Sequence, residues 1–456
     1  KRLNIIQDQI KYLPKGLKFN NVSINSKNIK KNDVFFAIKG RKNDGNKFVN
    51  QAFKNKASIV VVNRLQKKFN VNKQIKVKNT LKFLTDVSKI FRGNINTSII
   101  AITGSCGKTT LKELLGSTLR KISKVSISPK SYNNKYGVPL SLLNLSEDDN
   151  FGVLEVGMDK KGEIDYLSKI IQPDVSVITN INFAHIKNFK NIKHIAIAKA
   201  EIIQNTKSGG FVVLNADDKF FNLHKRIVTK NNLNLITFGI KNKIANVKFL
   251  DVKKERNYFQ LYIQVKKKKK YFLISNNFQN NIYNILAALA VISIYLDIFK
   301  LNKNIFLDFK IPGGRGDHSI IKINNKKINL IDQSYNSNPL SLRSAIMNYD
   351  KINTKKSNKY LLLGDMLELG KHSEKLHKSI IPLINQTDID KVFVKGKMVS
   401  KIFKDISIAK KGKIFADKSE IIKFISNDLN NNDYLMMKAS FATGFNNIVK
   451  DLKELN

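Results

Sequence analysis

The sequence lacks several features that mark whole classes of proteins. It has no tryptophan and only one cysteine among 456 residues. A single cysteine excludes an internal disulfide framework and is typical of a protein in a reducing compartment. No segment near the N-terminus has the apolar core of a signal peptide. The longest apolar run, Ile285–Leu296, is too short to span a bilayer and predicts a buried helix. We therefore expect a cytoplasmic protein with no stable membrane insertion.

Acidic residues are scarce as well, with 35 Asp and Glu against 81 Lys and Arg and a formal net charge of +46. A strongly basic chain suggests nucleic acid or an anionic membrane as a partner. Here, however, the lysines are spread along the whole chain and accompany abundant Asn, Ile and Phe, which is the bias of an A/T-rich genome. The one dense run, Lys266–Lys270, lies between two strand-like segments and predicts the tip of a hairpin. We expect no nucleic-acid partner, although the charge should favour anionic small substrates.

One stretch, Ser98–Thr110, organises the rest of the chain. Its first residues form a β-branched run that predicts a buried strand, and the leucines after it have the spacing of an amphipathic helix. The two glycines in between would let backbone N–H groups approach the phosphates of a nucleotide, while Lys108 balances their charge and Thr109 can hold Mg²⁺. The first glycine of the common phosphate-loop pattern would fall at Ile102, so the loop is a shorter form. The alternative is a glycine turn followed by a chance Lys-Thr pair.

Strand and helix patterns divide the chain into three regions. Residues 1–95 carry a small α/β pattern of their own, and residues 96–310 alternate strands with helices, which predicts a mostly parallel sheet covered by helices. Residues 311–456 repeat that alternation and predict a second, smaller doubly wound domain. The glycine-rich segment Ile311–Gly316 is the expected hinge. The predicted fold class is thus α/β with three domains, the last of them Rossmann-like, and ligands are expected at the carboxyl ends of the central strands.

Several motifs together resemble the Mur ligase family, ATP-dependent enzymes that form amide bonds in the peptide stem of bacterial peptidoglycan. In the central region they are Thr103-Gly-Ser-Cys-Gly-Lys-Thr-Thr110, Tyr132-Asn-Asn-Lys-Tyr-Gly-Val-Pro-Leu140, and Leu154-Glu-Val-Gly157 with Gly162-Glu-Ile-Asp165. Two further motifs resemble those of the member that joins D-alanyl-D-alanine to UDP-N-acetylmuramoyl-tripeptide: Asp332-Gln-Ser-Tyr-Asn-Ser-Asn-Pro339 and Leu363-Gly-Asp-Met-Leu-Glu-Leu-Gly-Lys-His-Ser373. The resemblance implies these two substrates, ATP, Mg²⁺ and a monomeric enzyme that works through an acyl phosphate. It also implies that the N-terminal domain binds the UDP end of the substrate and that the central domain binds ATP.

The resemblance also implies roles for individual residues. Catalysis is assigned to Lys108, Glu155, His185 and Lys199. ATP binding is assigned to Gly104, Ser105, Cys106, Gly107, Lys108, Thr109, Thr110, Asn281, Arg315 and Asp332. Two Mg²⁺ sites are assigned to Thr109, Glu155, His185 and Lys199, the last of which is carbamylated in several relatives. Substrate binding is assigned to Ser26, Lys27, Asp44, Gly45, Asn133, Asn134, Asn336 and Asn338.

Two of the metal assignments depend on the resemblance alone. Without it, Lys199 would be interpreted as a surface lysine and His185 as a core or loop histidine. A carbamate needs a neutral amine, which an apolar helix face around Lys199 could supply by desolvation. Glu155 is different, because a carboxylate at the end of a strand near the phosphate loop is a hard oxygen ligand suited to Mg²⁺.

The chain departs from the family's pattern at four places. The family's Gly-x-His-Asn, Asp-Asp, Lys-Gly-Ser and Asp-Gly-His become Phe278-Gln-Asn-Asn281, Asp332-Gln333, Lys438-Ala-Ser440 and Asp44-Gly-Asn46. The first departure leaves the adenine contacts open. The phosphate and metal residues are unaltered, so an active enzyme is expected.

Two other functions compete with this interpretation. One is a sibling ligase that adds the third stem residue or extends folates. The diamino-acid-adding sibling usually carries an Asp-Tyr-Ala-His-type and an Asp-Asn-Pro-Arg-type motif, and neither occurs. The other is a nucleic-acid-dependent NTPase, which would need a basic patch interleaved with aromatic residues, whereas the lysines are diffuse. The sequence leaves open whether the tripeptide ends in diaminopimelate or lysine.

Overall fold

The computed structural model describes residues 20–40, 43–275, 278, 281–354 and 357–454. Its strands form three sheets of four, nine and six strands, and helices pack against them. This confirms the predicted fold class, a three-part α/β protein with mostly parallel sheets. The domain boundaries expected after residues 95 and 310 stay predictions.

The first sheet belongs to the N-terminal region and is parallel throughout. Its strands are β1 Val22–Ser23, β2 Val34–Phe36, β3 Ile59–Val62 and β4 Gln74–Lys76, in that spatial order, and its helices are α1 Val49–Lys54 and α2 Thr80–Gly93. β1 is short because the Asn25 side chain, two residues after it, accepts a hydrogen bond from the Lys27 backbone and begins a 3-10 turn. On α2, the buried Arg92 donates to the Ile171 carbonyl and to the Asp174 carboxylate. These bonds join the N-terminal region to the central one.

The second sheet is the central one and carries the phosphate loop. Its strands are β5 Ser98–Thr103, β6 Val125–Ile127, β7 Phe151–Glu155, β8 Val175–Ile178, β9 Phe211–Asn215, β10 Asn234–Gly239, β11 Val247–Lys254, β12 Tyr258–Val265 and β13 Lys268–Ser275. They lie in the order β13-β12-β11-β10-β9-β8-β5-β7-β6, parallel except where β12 pairs with β11 and β13. The helices are α3 Lys108–Arg120, α4 Gly137–Leu143, α5 Glu163–Ile171, α6 Ile192–Gln204, α7 Phe221–Lys230 and α8 Ile282–Tyr295.

The lysine-rich hairpin differs from the prediction. Only Lys266 and Lys267 form the turn between β12 and β13, both in left-handed conformation with φ of 46° and 71°, and the lysines after them belong to β13. The predicted tip was too long because β13 is an edge strand, where charged side chains can face solvent. The long apolar run was predicted correctly, since it forms α8, whose residues Ile285–Ile292 are buried. Within the described part of the chain, no helix is long and apolar enough to cross a membrane.

The third sheet forms the C-terminal region. Its strands are β14 Asp317–Ile323, β15 Lys326–Gln333, β16 Lys359–Gly364, β17 Lys391–Lys395, β18 Lys411–Ile414 and β19 Tyr434–Lys438. They lie in the order β14-β15-β19-β16-β17-β18, and only the β14–β15 pair is antiparallel. The helices are α9 Pro339–Asp350, α10 Ser373–Lys378, α11 Ile381–Asn385, α12 Lys397–Ile402, α13 Lys418–Asn427 and α14 Phe445–Glu454. The loops after β15 and β16 contact the central region near its phosphate loop.

Candidate active site

The phosphate loop connects β5 to α3 and has a backbone that only glycine fits at two positions. Gly104 and Gly107 have φ of 147° and 83°, in the left-handed region that glycine enters at no steric cost. A Cβ at Gly104 would lie 1.8 Å from Thr179 Oγ1, and one at Gly107 would lie 2.8 Å from Asn284 Oδ1. The loop is therefore packed closely against the end of β8 on one side and the start of α8 on the other.

Hydrogen bonds from the segment after β8 hold the loop in place. The Cys106 backbone donates to Asn180 Oδ1 at 3.0 Å, and its carbonyl accepts from Thr179 Oγ1 at 2.6 Å. The Ser105 backbone donates to the Asn180 carbonyl at 2.9 Å. Lys108 Nζ donates to the Gly104 carbonyl at 2.8 Å, so its ammonium group lies over the loop. These bonds hold the loop in one defined conformation, which is what a phosphate-binding site needs.

A buried carboxylate lies beside the first turn of α3. Thr109 Oγ1 donates to Glu155 Oε2 at 2.5 Å, and Asn133 Nδ2 donates to Glu155 Oε1 at 2.8 Å. Glu155 ends β7 and is 2% exposed. A hydroxyl and a carboxylate are the hard oxygen donors that Mg²⁺ prefers, so the pair formed by Thr109 and Glu155 fits such an ion.

Lys199 lies on α6 and is 1% exposed. Burial holds the pKa of its ammonium well below the ordinary value, and repulsion from Lys108 lowers this pKa further. Among the described residues, none forms a hydrogen bond or an ion pair with its Nζ. Lys112 on α3 is equally buried, but its Nζ donates to the Ser128 and Lys130 carbonyls at 2.5 Å each. The two buried lysines therefore differ, because backbone carbonyls compensate the Lys112 ammonium and no such partner of Lys199 lies among the described residues.

The structure brings His185 to two acids that the sequence interpretation did not include. Its Nδ1 lies 2.9 Å from Asp159 Oδ1 and 2.5 Å from Glu368 Oε2, although neither contact is aligned as a hydrogen bond. The His185 side chain holds the pKa of Glu368 below its usual value. One ligand atom from each residue lies within 4.8 Å of the others, close enough for one metal ion. Glu368 could have been found from the sequence, because it belongs to the Leu363–Ser373 motif, whereas nothing singled out Asp159.

Residues of the hinge and of the loop after β15 reach across to the central region. The Arg315 guanidinium lies 4.0 Å from the centre of the Tyr335 ring, a cation–π distance. Tyr335 Oη donates to Ser131 Oγ at 2.6 Å, and Arg315 Nη2 lies 3.5 Å from the same oxygen. Ser131 belongs to the central region, so these contacts join it to the C-terminal region.

A cavity of about 830 Å³ lies between the central and C-terminal regions. Of the predicted site residues, the cavity is lined by Thr109, His185, Arg315 and Asn336. Residues that the interpretation missed also line it, among them Ser131, Tyr335, Leu367, Glu368 and Phe441. The cavity therefore combines the phosphate loop's helix with the loops that follow the C-terminal strands.

Other predicted site residues have structural contacts of their own. Asn134 accepts hydrogen bonds from the backbone at the start of α4, and Asn338 caps α9 while its Nδ2 lies 3.1 Å from Cys106 Sγ. Asn281 accepts from Asn284 Nδ2 at 3.2 Å. Asp332 is 5% exposed and accepts from Ser334. Phe278 is buried, and the two residues that follow it in the adenine motif lie outside the described residues.

The predicted UDP-contact residues lie in the N-terminal region and do not line the cavity. Ser26 Oγ donates to Gln51 Oε1 at 2.7 Å, while Lys27 is exposed. Asp44 accepts from the Asn46 backbone and side chain, which holds the pKa of Asp44 below its usual value. Gly45 fits against the Ile38 backbone, since a Cβ there would lie 2.6 Å from the Ile38 nitrogen. Two residues of the Lys39–Gly45 loop, 41 and 42, lie outside the described residues.

Comparison with known proteins identifies the family. Three family models match: Mur ligase family, catalytic domain, over residues 18–92; Mur ligase middle domain over 102–292; and Mur ligase, glutamate ligase domain, over 319–441. A curated relative from Buchnera aphidicola subsp. Acyrthosiphon pisum is 34% identical and covers 96% of this chain and 94% of its own. The chain belongs to the Mur ligase family. This confirms the predicted class of enzyme, an ATP-dependent ligase. The relative's name is UDP-N-acetylmuramoyl-tripeptide–D-alanyl-D-alanine ligase.

Solved structures extend the comparison to the Mur ligase fold. A crystal structure of MurF from Acinetobacter baumannii matches with a TM-score of 0.84 at 25% identity, over 99% of this chain and 98% of that one. MurF ligase from Thermotoga maritima in complex with ADP matches with a TM-score of 0.80 at 25% identity, over 97% of this chain and 99% of that one. The arrangement of the three sheets is thus that of complete Mur ligase chains.

Proposed function

We propose that this Mur ligase joins D-alanyl-D-alanine to UDP-N-acetylmuramoyl-tripeptide with hydrolysis of ATP to ADP and phosphate. The observation that carries the proposal is the cavity, to which the two C-terminal motifs contribute Asn336 and Glu368 and the phosphate-loop helix contributes Thr109. Relatives named for this reaction align with nearly the whole chain, which supports the same pair of substrates.

The reaction has two steps, and this chain's residues contribute mainly position and charge. The tripeptide's terminal carboxylate attacks the γ-phosphorus of ATP, and ADP leaves, which gives an acyl phosphate. The amine of D-alanyl-D-alanine then attacks the acyl carbon, loses a proton and expels phosphate. Lys108 would leave the Gly104 carbonyl to contact the phosphates, and Arg315 would approach them from the hinge.

We propose two Mg²⁺ sites at the central edge of this cavity, where Thr109 and His185 line it. Thr109 and Glu155 would hold the first ion, and the buried Glu155 carboxylate already has both oxygens aimed at polar partners. Lys199, whose pKa is lowered by burial, would serve the second site as a carbamate, and His185 would join it by turning from Asp159 and Glu368. When bound, Mg²⁺ supplies positive charge that stabilises the phosphoryl group in transfer.

The proposal also covers the cellular compartment and the oligomeric state of the enzyme. The single cysteine is compatible with a reducing cytoplasm, where both nucleotide substrates would be available. A monomer is proposed as well, because the resemblance to the Mur ligase family implies one. Sedimentation of the purified chain would measure this directly, and a stable dimer would contradict it.

A phosphate-release assay tests the reaction. The full chain is given ATP, Mg²⁺, UDP-N-acetylmuramoyl-tripeptide and D-alanyl-D-alanine, and release should require all four. Matched reactions replace D-alanyl-D-alanine by a free diamino acid, offer the shorter UDP-muramoyl-dipeptide, or add DNA. Release in one of these reactions, and none with the proposed pair, would assign the chain to a sibling ligase or to a nucleic-acid-dependent NTPase.

A further inference from the structure

Lys438 is a fully buried cation that the proposed mechanism does not use. It ends β19 and is 1% exposed. Its Nζ donates to the Asn336 carbonyl at 3.0 Å, and no carboxylate of the described residues forms an ion pair with it. Burial lowers the pKa of Lys438 to about 8, with Arg315 contributing repulsion.

Such a lysine is unusual, because a buried charge normally has a partner that compensates its desolvation. Lys359 on the neighbouring strand β16 is buried too, but its Nζ donates to the Asp350 and Ile352 carbonyls at 2.9 and 3.3 Å. An ammonium group has three donors. At Lys438 only one of them has a partner among the described residues.

The position of Lys438 indicates what the missing partner is. Its neighbours Asn336 and Ser440 both line the cavity, and the phosphate-loop residue Cys106 is close enough to affect its ionisation. The Asp332 carboxylate also acts on it, but Asp332 accepts a hydrogen bond from Ser334 and lies 3.6 Å from Lys453 Nζ. The uncompensated charge thus lies between the C-terminal loops and the phosphate loop, where the proposed reaction would place an anion.

We propose that Lys438 is a further phosphoryl-binding residue, whose ammonium contacts the γ-phosphoryl group of ATP and then the acyl phosphate from the C-terminal side. Lys108 would contact the same group from the phosphate loop, so the phosphoryl group would lie between two lysines of different regions. The inference rests on the proposed function for the acyl phosphate, but its contact with the γ-phosphoryl group requires only that the chain binds ATP.

Equilibrium binding of two nucleotides tests the inference without any acceptor substrate. The full chain with Mg²⁺ is titrated with ADP and with an ATP analogue that has an imido group between its β- and γ-phosphorus. Lys438→Gln removes the charge while its amide can still donate to the Asn336 carbonyl. We expect analogue binding to weaken about tenfold or more, the loss of one charge-assisted hydrogen bond, and ADP binding to change less than about threefold. Lys438→Arg should restore most of the difference.

Lys359→Gln is the matched control, because it neutralises a buried lysine on the adjacent strand and should leave both affinities unchanged. Lys438→Met serves the same purpose as the glutamine variant if that variant does not fold, since an uncompensated charge can be replaced by an apolar side chain without loss of stability. Unchanged analogue binding overturns the inference, and so does an equal loss for both nucleotides, which would indicate a structural role. If analogue binding is selectively weakened but the original chain fails the ligase assay, the result supports the phosphoryl-binding role of Lys438 and contradicts the proposed acceptor substrates.

Discussion

The two sides of the cavity are built in different ways. On the central side Thr109 lines the cavity, and two further predicted site residues, Glu155 at the end of β7 and Lys199 within α6, are 2% and 1% exposed. On the C-terminal side, the Glu368 side chain is 37% exposed and Phe441 is 56% exposed. The central side is fixed within one region, whereas the C-terminal side is completed by contacts between regions. Under the proposed function, the difference predicts preorganised phosphate chemistry on the central side and acceptor binding that depends on how the regions are placed.

The largest effect is expected on the central side, at Lys108. Lys108→Met removes the ammonium that lies over the phosphate loop, and we expect phosphate release to fall by about 10³-fold, as for loss of a transition-state donor. Lys121→Met, at the other end of the same helix, is the matched control and should keep activity near that of the original chain. A Lys108→Met enzyme with more than a tenth of the original rate would show that the loop is not the phosphate site.

The next largest effect is expected at Lys199. Lys199→Ala should lose about 10²-fold in turnover, because a metal contact made by its carbamate is removed. Added bicarbonate should not restore the variant, whereas a short carboxylate such as formate should restore it in part. The measurement is phosphate release with and without each additive. Turnover equal to that of the original chain would remove Lys199 from the metal site.

The C-terminal side should respond more weakly, in binding rather than turnover. Glu368→Gln removes the carboxylate that contacts His185 across the regions, and we expect KM for the acceptor to rise about threefold to fivefold with a smaller change in kcat. Glu374→Gln, a nearby variant at an exposed ion pair, is the control and should have no effect. If Glu368→Gln lowers kcat as strongly as Lys199→Ala, Glu368 acts in the chemistry and the comparison between the two sides fails.

The smallest effect concerns pH and the motif that carries Glu368. His377 is buried, accepts from the Met366 backbone through Nε2 at 2.9 Å and donates from Nδ1 to the Ser373 carbonyl at 2.7 Å. Burial holds the pKa of His377 below 6.5, so the unfolded chain binds more protons below that pH. Its stabilising contribution is complete above about pH 6.5 and is lost as the pH falls through the folded-state value.

Thermal unfolding at pH 7.5 and 5.5 measures this contribution. The melting temperature should be lower at pH 5.5, and His377→Gln, whose amide can still accept from Met366, should reduce that drop by about 2–4 °C. His224 also has its pKa lowered by burial, so part of the drop should remain. An identical pH dependence in His377→Gln would contradict the assignment.

The central side could be predicted from the sequence because its signals are local. Each signal lies within a few residues: the β-branched run before Gly104, the Lys108-Thr109 pair, and Glu155 at the end of a strand. The contacts of Glu368 with His185 could not be predicted, since they depend on how two sheets are placed relative to each other. The absence of an ion-pair partner for Lys438 among the described residues could not be predicted for the same reason, because the sequence does not show which carboxylates lie near its ammonium group.

The prediction that the hairpin tip spans Lys266–Lys270 was wrong for a different reason. Two-residue hairpin turns with positive φ are usually recognised by Asn or Gly, and here Lys266 and Lys267 occupy both positions. The turn therefore carried no compositional signal, and the whole lysine run was assigned to it. The pairing of Val265 with Lys268 shows that the strand starts directly after the turn.

The outer strand β13 has a consequence for how copies of this enzyme behave at high concentration. An exposed strand edge offers free backbone groups to which the same edge of a second molecule could bind, which is a route to aggregation. Here the Lys303 carbonyl accepts from the Leu273 backbone, and the carbonyls of Phe299 and Leu301 hold Lys270. The rest of the edge begins with exposed lysines, which repel their counterparts on a second copy. The exposed lysines and the bonded backbone groups thus oppose edge-to-edge pairing at the outer border of the largest sheet.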